Sequence, residues 1–330
     1  MRNALGTRAR LERQGYLFVL PFVVAFLALQ LYPIIYTFAL GLTDFRGMSR
    51  NFKFVGLENF VHLVSDAYFW KAFSNTWLIW GISFIPQLGL ALLFAVWCSD
   101  VRLRLKAQGL FKAIFYLPNL LTAASIAVLY ATLFYYPNGP INQALVQAGM
   151  RDVAFNFFRD STFTRLIVAF IQFWMWYGHT LIMISAGIAG IPVALYESAV
   201  IDGANARQMF RHVTLPMLKP VMLYILVTSM IGGMQMFDIP YLITNRRGDP
   251  DGSILTTAVY LYNHAFTGSN NYAYASAIST GLFLLTSTAA ILMYAVMRDR
   301  HHPSQLRPGK FGPSAAWLRR NAVHEEGRAR

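Results

Sequence analysis

Long stretches almost free of charged residues limit the fold of this chain more strongly than any other feature. Six of them are each 23 to 27 residues long, whereas about 20 residues of helix cross the hydrocarbon core of a bilayer. Asp238, near the end of the fifth stretch, is the one charged residue inside these limits. The stretches are residues 16–42, 72–98, 113–135, 166–190, 221–243 and 272–297.

A segment inside a bilayer finds no water for its backbone N–H and C=O groups, so it satisfies them internally as a helix. The overall composition agrees, because only 13% of the residues are charged, against about 25% in soluble domains. We therefore predict an all-α polytopic membrane protein with six transmembrane helices. The first stretch is about twice the length of a signal-peptide core and no small-residue cleavage site follows it, which favours an uncleaved span.

The Lys and Arg residues predict which side each loop faces. Of the 28, 19 lie in the two tails and in the segments after the second and fourth spans, and eight lie in the three opposite loops. Cytoplasmic loops carry such an excess, so both termini and the loop between spans four and five are predicted to be cytoplasmic. The net charge of +13 is then a topology signal and not a sign of nucleic-acid binding. Cys98 is the single cysteine, which excludes an intramolecular disulfide.

The middle of every predicted span lacks Asp, Glu, Lys and Arg. Ion-coupled carriers usually bury such groups to hold the coupling ion, so their absence argues against a self-powered carrier. The polar residues in the spans are neutral, which suits an uncharged, hydroxyl-rich solute, although each could equally join two helices by a hydrogen bond. His179 has no second ligand nearby and is interpreted as structural. These polar residues are Asn75, Gln87, Asn119, Gln172, His179, Ser229 and Gln235.

The loop at 191–220 differs from the other loops. Pro192 suits the first turn of a short helix, and Gly203 can adopt the left-handed turn that ends one. A second short helix with an apolar stripe is predicted to follow and to stop at Pro216 before span five. Two short amphipathic helices joined at a glycine form a compact knob, and its partly apolar surface implies a partner.

The same loop resembles the coupling motif of bacterial ABC importer permeases. That motif is Glu-Ala-Ala, three residues, Gly, nine residues, a hydrophobic residue, any residue and Leu-Pro. Glu197-Ser198-Ala199 begins the match, Gly203 follows at the family spacing, and Leu215-Pro216 closes it, with Ser198 in place of the middle alanine. The sequence Asp202-Gly203-Ala204 resembles the sugar-transporting branch.

Further segments at 54–60, 69–76, 139–142 and 272–277 also resemble this family, so the resemblance covers about residues 15–300. It is closest to the first membrane subunit of maltose and glycerol-3-phosphate importers. The family often has Thr-x-Gly-Gly-Pro after span five, whereas this chain has a different sequence at 244–250. That loop faces the binding protein in the family, so the identity of the solute stays open.

The resemblance implies a non-catalytic permease subunit in the bacterial cytoplasmic membrane. Its partners would be a second permease, a dimer of ATPase subunits that bind ATP and Mg, and an extracytoplasmic solute-binding protein that delivers a carbohydrate. No phosphate-binding G-x-x-x-x-G-K-[ST] loop occurs in the sequence, so this chain needs no cofactor of its own. The residues expected to couple to the ATPase are Glu197, Ser198, Ala199, Asp202, Gly203, Ala204, Leu215 and Pro216. The residues expected on the substrate path are Asn119, Gln172, Ser229 and Gln235.

The predicted organisation is a basic cytoplasmic tail at 1–15, a six-helix domain at 16–297 and a polar, disordered cytoplasmic tail at 298–330. Three alternatives remain. An ABC permease for a glycerol-phosphate-type organophosphate should have a basic residue in its channel. A channel or secondary carrier that works alone would need no coupling loop. An intramembrane enzyme would need paired His, Asp or Glu residues within a span.

Overall fold

The computed structural model describes residues 2–47, 52–99, 108–244, 248–268 and 270–297. The basic residues at 102–106, the middle of the loop at 244–250 and the tail at 298–330 lie outside these ranges. In the described ranges all regular structure is helical, apart from one antiparallel bridge between Thr43 and Phe54. The α-helices are α1 Arg2–Phe26, α2 Tyr32–Gly41, α3 Glu58–Ser65, α4 Ala67–Ser99, α5 Gln108–Leu120, α6 Ala123–Leu133, α7 Pro140–Gln147, α8 Ser161–Ala189, α9 Val193–Ile201, α10 Ala206–Met209, α11 Leu215–Met234, α12 Asp238–Ile243, α13 Thr257–Phe266 and α14 Tyr272–Met297.

Among the residues that the structure describes, five helical segments are long and apolar enough to cross a bilayer, and α5 with α6 makes a sixth if the two are counted as one bent span. The predicted all-α membrane fold is therefore confirmed. The stretches predicted as loops between spans contain the short helices α3, α7 and α13. The five segments are Gln14–Gly41, Ala67–Cys98, Ser161–Ala189, Ala206–Ile243 and Tyr272–Met297.

The third predicted span is not one straight helix, because α5 and α6 meet at an angle of 88°. Pro118 lies in the last turn of α5 and has no N–H for the helical ladder. Thr122 then adopts an extended conformation with φ −69° and ψ 141°, and its hydroxyl accepts a hydrogen bond from the Ser125 N–H at 3.2 Å. A threonine in this position begins a new helix, so the chain turns where hydrophobicity alone predicted continuity.

Two of the prolines within long helices lie just after π-helical turns. Pro33 follows the π-helical segment Leu27–Leu31, and Pro216 follows the π-helical segment Phe210–Thr214. In both segments the next residue donates its N–H to the carbonyl five residues earlier, and this wider turn accommodates the proline ring. The prediction that Pro216 stops the short helix before span five is therefore wrong, because α10 continues through the π-turn into α11.

The fifth span is interrupted near the end that lies away from the 191–220 loop. α11 ends at Met234, and α12 begins with Asp238, whose carboxylate lies in the first turn of that short helix. A negative charge in this position is favourable toward the helix dipole. Between the two helices, the hydroxyl of Thr256 donates a hydrogen bond of 2.7 Å to the carbonyl of Met236.

Helices α4 and α8 pack along much of their lengths and carry many of the buried apolar residues. One cluster includes Ile79, Ile126 and Ile171, and a second, nearer the 191–220 loop, includes Leu181 and Leu218. The first span contributes little to either cluster, because its most hydrophobic window has no buried residue. It meets the other helices through α2, which packs against α14.

Asp66 joins four helices at the opposite end from the 191–220 loop. Its carboxylate accepts hydrogen bonds from the N–H groups of Tyr68 and Phe69 and from the hydroxyls of Tyr260 and Tyr274. Burial by itself would raise the pKa of Asp66, but the four hydrogen bonds outweigh burial and hold the pKa below its ordinary value. These bonds fix α13 and α14 against the junction of α3 and α4.

The close approach of α8 to α5 requires a glycine at position 178. A Cβ on Gly178 would lie 2.0 Å from the Phe115 carbonyl oxygen, whereas a Cβ on Gly81 of α4 would meet no atom within 4 Å. We expect Gly178→Ala to cost about 1–3 kcal/mol of stability and to lower the thermal unfolding midpoint of the purified protein by several degrees. Gly81→Ala is the matched control, since alanine is the better helix former; an equal midpoint for both variants would contradict this contact.

Candidate functional site

The first arm of the 191–220 loop is helix α9, and Gly203 ends it as predicted. Gly203 has a φ of +76°, a conformation that L residues adopt only at a cost. Its N–H bonds to the Val200 carbonyl at 3.0 Å, and the Ala204 N–H bonds to the Ala199 carbonyl at 2.9 Å. This pair of bonds is the Schellman pattern, which satisfies the carbonyls at the end of the helix.

The second arm is continuous with the fifth span. Asn205 and Gln208 form a reciprocal capping box, with hydrogen bonds of 2.9 and 2.8 Å, so α10 begins at a defined residue. The two arms are joined by a 3.0 Å hydrogen bond between the hydroxyls of Tyr196 and Thr214. Because the second arm runs on into α11, a displacement of the loop is transmitted directly to a membrane-spanning helix.

The tip of this two-armed knob combines acidic and apolar side chains. Glu197, Ser198, Asp202 and Gly203 are exposed, and the neighbouring Ile201 is 85% exposed. Ala199, Ala204 and Leu215 are half-buried and Pro216 is exposed. An exposed apolar residue beside two carboxylates is a suitable docking surface for a protein with a basic and apolar cleft.

A cavity of about 140 Å³ lies between α4, α8 and α11. Its walls combine aromatic rings with amide and hydroxyl groups, and the described residues that line it include no Asp, Glu, Lys or Arg. Ligand sites commonly pair apolar walls with a few polar groups that orient the ligand. The aromatic and polar lining residues are Trp80, Trp176, Tyr224, Ser83, Gln87, Gln172, His179, Thr180, Thr228 and Ser229.

The structure brings two of the four expected substrate-path residues together. Gln172 and Ser229 both line the cavity, from α8 and α11. Asn119 instead donates a 3.3 Å hydrogen bond from its side chain to the Met175 carbonyl, beside the bend between α5 and α6. Gln235 is exposed at the end of α11 and does not line the cavity. His179 lines the cavity, edge-on to Trp176 at 5.9 Å between ring centroids.

Trp80 forms a wall of the cavity that the sequence did not single out. Its indole N–H donates to the Ser229 hydroxyl at 3.2 Å, and its ring stacks on Phe84 with centroids 5.1 Å apart. Gly233 of α11 lies directly against the indole, since a Cβ there would be 2.2 Å from the ring. A glycine within the fifth span was the available sequence signal that another helix approaches there, although it does not identify Trp80 as the contact.

The knob and the cavity are connected by one helix. α8 contributes Gln172, Trp176 and His179 to the cavity and ends at Ala189, three residues before α9 begins. At 1.5 Å per residue its 29 residues span about 43 Å. The other end of α8 carries Arg165, whose guanidinium contacts the segment before α13. We call the Arg165 end of α8 the outer end.

Comparison with known proteins identifies a family and several relatives. Residues 76–300 match the family described as binding-protein-dependent transport system inner membrane component. The lactose transport system permease protein of Rhizobium radiobacter is 31% identical, over 90% of this chain and 99% of the relative. The trehalose/maltose transport system permease protein of Thermococcus litoralis is 30% identical, over 88% of this chain and 96% of the relative.

A solved structure has the same fold. It is a bacterial ABC transporter involved in the import of the acidic polysaccharide alginate, with a TM-score of 0.74 and 22% sequence identity. The alignment covers 89% of this chain and 98% of the matched chain. The overall fold of this chain is therefore one that a solved structure already contains.

The adjacent glycines on α11 allow a matched test of the Trp80 wall. Gly233→Ala should displace the indole and weaken its hydrogen bond to Ser229, whereas a Cβ at Gly232 meets no atom within 4 Å. In purified protein labelled with 5-fluorotryptophan, we expect the fluorine resonance of Trp80 to shift in Gly233→Ala and to stay in place in Gly232→Ala. Assignment comes from Trp80→Phe, and equal spectra for both alanine variants would disprove the contact.

Proposed function

The chain belongs to the family of binding-protein-dependent transport system inner membrane components, and we propose that it passes an uncharged sugar or oligosaccharide through the cavity between α4, α8 and α11. In this proposal a solute-binding protein delivers the sugar, a second permease subunit completes the path, and separate ATPase subunits bind ATP and Mg. The chain itself is a non-catalytic subunit of an ABC importer in the cytoplasmic membrane.

The observation that carries the sugar assignment is the chemistry of the cavity wall. The aromatic side chains of Trp80, Trp176 and Tyr224 line the cavity, and aromatic rings are suitable partners for the apolar C–H groups of a sugar. The amide of Gln172 and the hydroxyls of Ser229 and its neighbours can both donate to and accept from sugar hydroxyls. Permeases named for lactose, trehalose/maltose and arabinooligosaccharides are among the relatives at 30% identity or more.

The same cavity disfavours an organophosphate as the solute. A phosphate ester would recruit Arg or Lys, which bind phosphate by charge-assisted hydrogen bonds. Neither residue type occurs among the described cavity-lining residues. A phosphate ester would therefore have to find its basic partner on the second permease subunit, whereas a neutral sugar finds suitable groups on this chain.

We propose that the knob docks on an ATPase subunit. Ile201 would enter an apolar part of the cleft, and Glu197 and Asp202 would face basic residues there; Ser198, Ala199 and Ala204 lie at the same tip. Closure of the ATPase dimer would pull the knob, and the unbroken helix through Leu215 and Pro216 would carry the displacement into the fifth span. The excess of Lys and Arg on this side of the chain supports a cytoplasmic position for the knob and both termini.

The double substitution Gln172→Ala, Ser229→Ala tests the cavity. It removes one polar group from each of two helices that face the cavity, so we expect the concentration for half-maximal sugar uptake to rise about tenfold or more, which corresponds to about 1.4 kcal/mol of lost binding. Uptake is measured with labelled sugar in cells that contain the complete importer.

The control for this test is Ser185→Ala, also on α8. Its hydroxyl is buried without a hydrogen-bond partner and does not line the cavity, so its removal should leave uptake unchanged. Normal uptake by the double variant at limiting sugar would reject the cavity as the sugar path. A double variant that loses uptake of glycerol phosphate and not of sugars would favour the organophosphate.

Two substitutions at Gly203 test the docking of the knob. Gly203→Val places a β-branched residue at a φ of +76° and should distort the tip, because L residues are strained there. We expect uptake to fall at least tenfold while ATP hydrolysis no longer responds to the solute-binding protein. Gly203→Asn should retain most of the uptake, since asparagine tolerates this conformation. Full coupled uptake by Gly203→Val in the assembled importer would refute the docking assignment.

A further inference from the structure

The segment 252–257, between the fifth span and α13, is buried although it is not part of a helix over most of its length. Ser253, Ile254, Thr256 and Thr257 are each 1% exposed or less. Buried backbone outside a helix must find other hydrogen-bond partners. The N–H groups of Ser253, Ile254 and Leu255 bond to carbonyls of the loop itself, and side chains of α4 and α8 supply hydrogen bonds to three carbonyls of the segment and to the Thr257 N–H. The segment is therefore held in place by identifiable groups.

Asn75 and Arg165 supply most of these hydrogen bonds. The amide nitrogen of Asn75 donates to the carbonyls of Gly252 at 2.7 Å and Leu255 at 3.2 Å. The guanidinium of Arg165 donates to the carbonyl of Ser253 at 2.9 Å and to the side-chain oxygen of Asn75 at 3.3 Å. One guanidinium and one amide thus bind three backbone carbonyls within four residues of irregular chain, and they orient each other. We call this pair the outer clamp.

The clamped segment lies at the outer end of the cavity. The hydroxyl of Thr256 donates to the carbonyl of Met236, and Met236 is both a lining residue of the cavity and a member of the buried cluster that contains Ile254. Arg165 is seven residues from Gln172 on the same helix, a rise of about 10 Å. The segment therefore lies behind Met236, on the side of the cavity away from the knob and about two helical turns beyond Gln172.

We propose that Arg165 and Asn75 are positioning residues that hold the segment 252–257 as the outer closure of the cavity. Opening the closure withdraws the carbonyls of Gly252, Ser253 and Leu255 from their donors, so the clamp stabilises the closed state. Arg165 lies on α8 and Asn75 on α4, the two helices that supply most of the polar cavity wall. A movement that separates the two helices at this end breaks the clamp and releases the segment. This inference rests on the proposed function, in which the cavity is the solute path.

The chain allows a direct measurement of this closure. Cys98 is its single cysteine, so Cys98→Ser gives a background without thiols. Ser253→Cys then places a reporter in the clamped segment at low cost, because the Ser253 hydroxyl is buried without a hydrogen-bond partner. The rate at which a charged, water-soluble maleimide labels this thiol reports how often the closure opens. The importer is used complete, with its partner subunits, in lipid nanodiscs that leave both faces accessible.

Arg165→Gln removes the guanidinium group that donates to Ser253 and Asn75. We expect this substitution to raise the labelling rate about tenfold. Arg159→Gln is the matched control, since Arg159 is an exposed arginine just before α8 and its replacement makes the same change in charge. It should label at the rate of the background protein. Arg165→Lys keeps the charge but reaches one of the two acceptors, so its rate should fall between the two.

Equal labelling rates for Arg165→Gln, Arg159→Gln and the background would overturn the proposal. If Arg165→Gln does not assemble, the labelling rate of Arg165→Lys is the test. A rate equal to that of the background would then overturn the proposal as well. A general loss of structure would accelerate labelling of Thr228→Cys in the cavity wall as strongly as that of Ser253→Cys, and that result would also overturn a positioning role. The Gly203 variants test the proposed function separately, because the clamp and the knob lie at opposite ends of α8.

Discussion

Every backbone N–H and C=O group within a bilayer must find a partner inside the protein, and the irregular features of this structure all follow from that requirement. Where the helical ladder is interrupted, a side chain or a wider turn replaces it. Thr122 caps α6 at the bend, Thr256 satisfies the Met236 carbonyl in the break of the fifth span, and π-turns precede Pro33 and Pro216. Each interruption is therefore stabilised locally.

These interruptions determine where several residues of the site lie. The bend between α5 and α6 brings Asn119 against α8, the break after Met234 places Met236 at the end of the cavity, and the π-turn lets the knob continue into a span. Helix α8 connects the outer clamp, the cavity and the knob. It carries Arg165 of the clamp, lines the cavity and leads into the knob. A single long helix between the two ends is a short mechanical path for coupling, as the proposed function requires.

Several features of the site were predictable from local sequence. Gly203 has the left-handed conformation that its position after an amphipathic helix indicated, and Gln172 and Ser229 reach the same cavity. The long-range contacts of the four expected substrate-path residues could not be read from the sequence, and their role in transport stays a prediction. Asn119 and Gln235 are polar residues at helix ends, and helical spacing does not tell whether such residues face a cavity, a neighbouring backbone or the surface. The role of Trp80 was missed because the sequence shows that a tryptophan lies within a span but not which neighbouring helix it faces.

The sequence by itself determined the membrane class, the approximate limits of the spans and the position of the knob, because hydrophobicity, charge and glycine–proline placement act over a few residues. The tertiary structure decided which polar residues meet. Gln172 and Ser229 are 57 positions apart, and Arg165 is 88 positions from the Ser253 carbonyl that it binds. Such encounters depend on how helices rotate and approach, and here a glycine opposite a carbonyl or an indole sets that approach. The local sequence pattern determines that a helix forms, whereas only the packing of the helices determines which groups its polar face contacts.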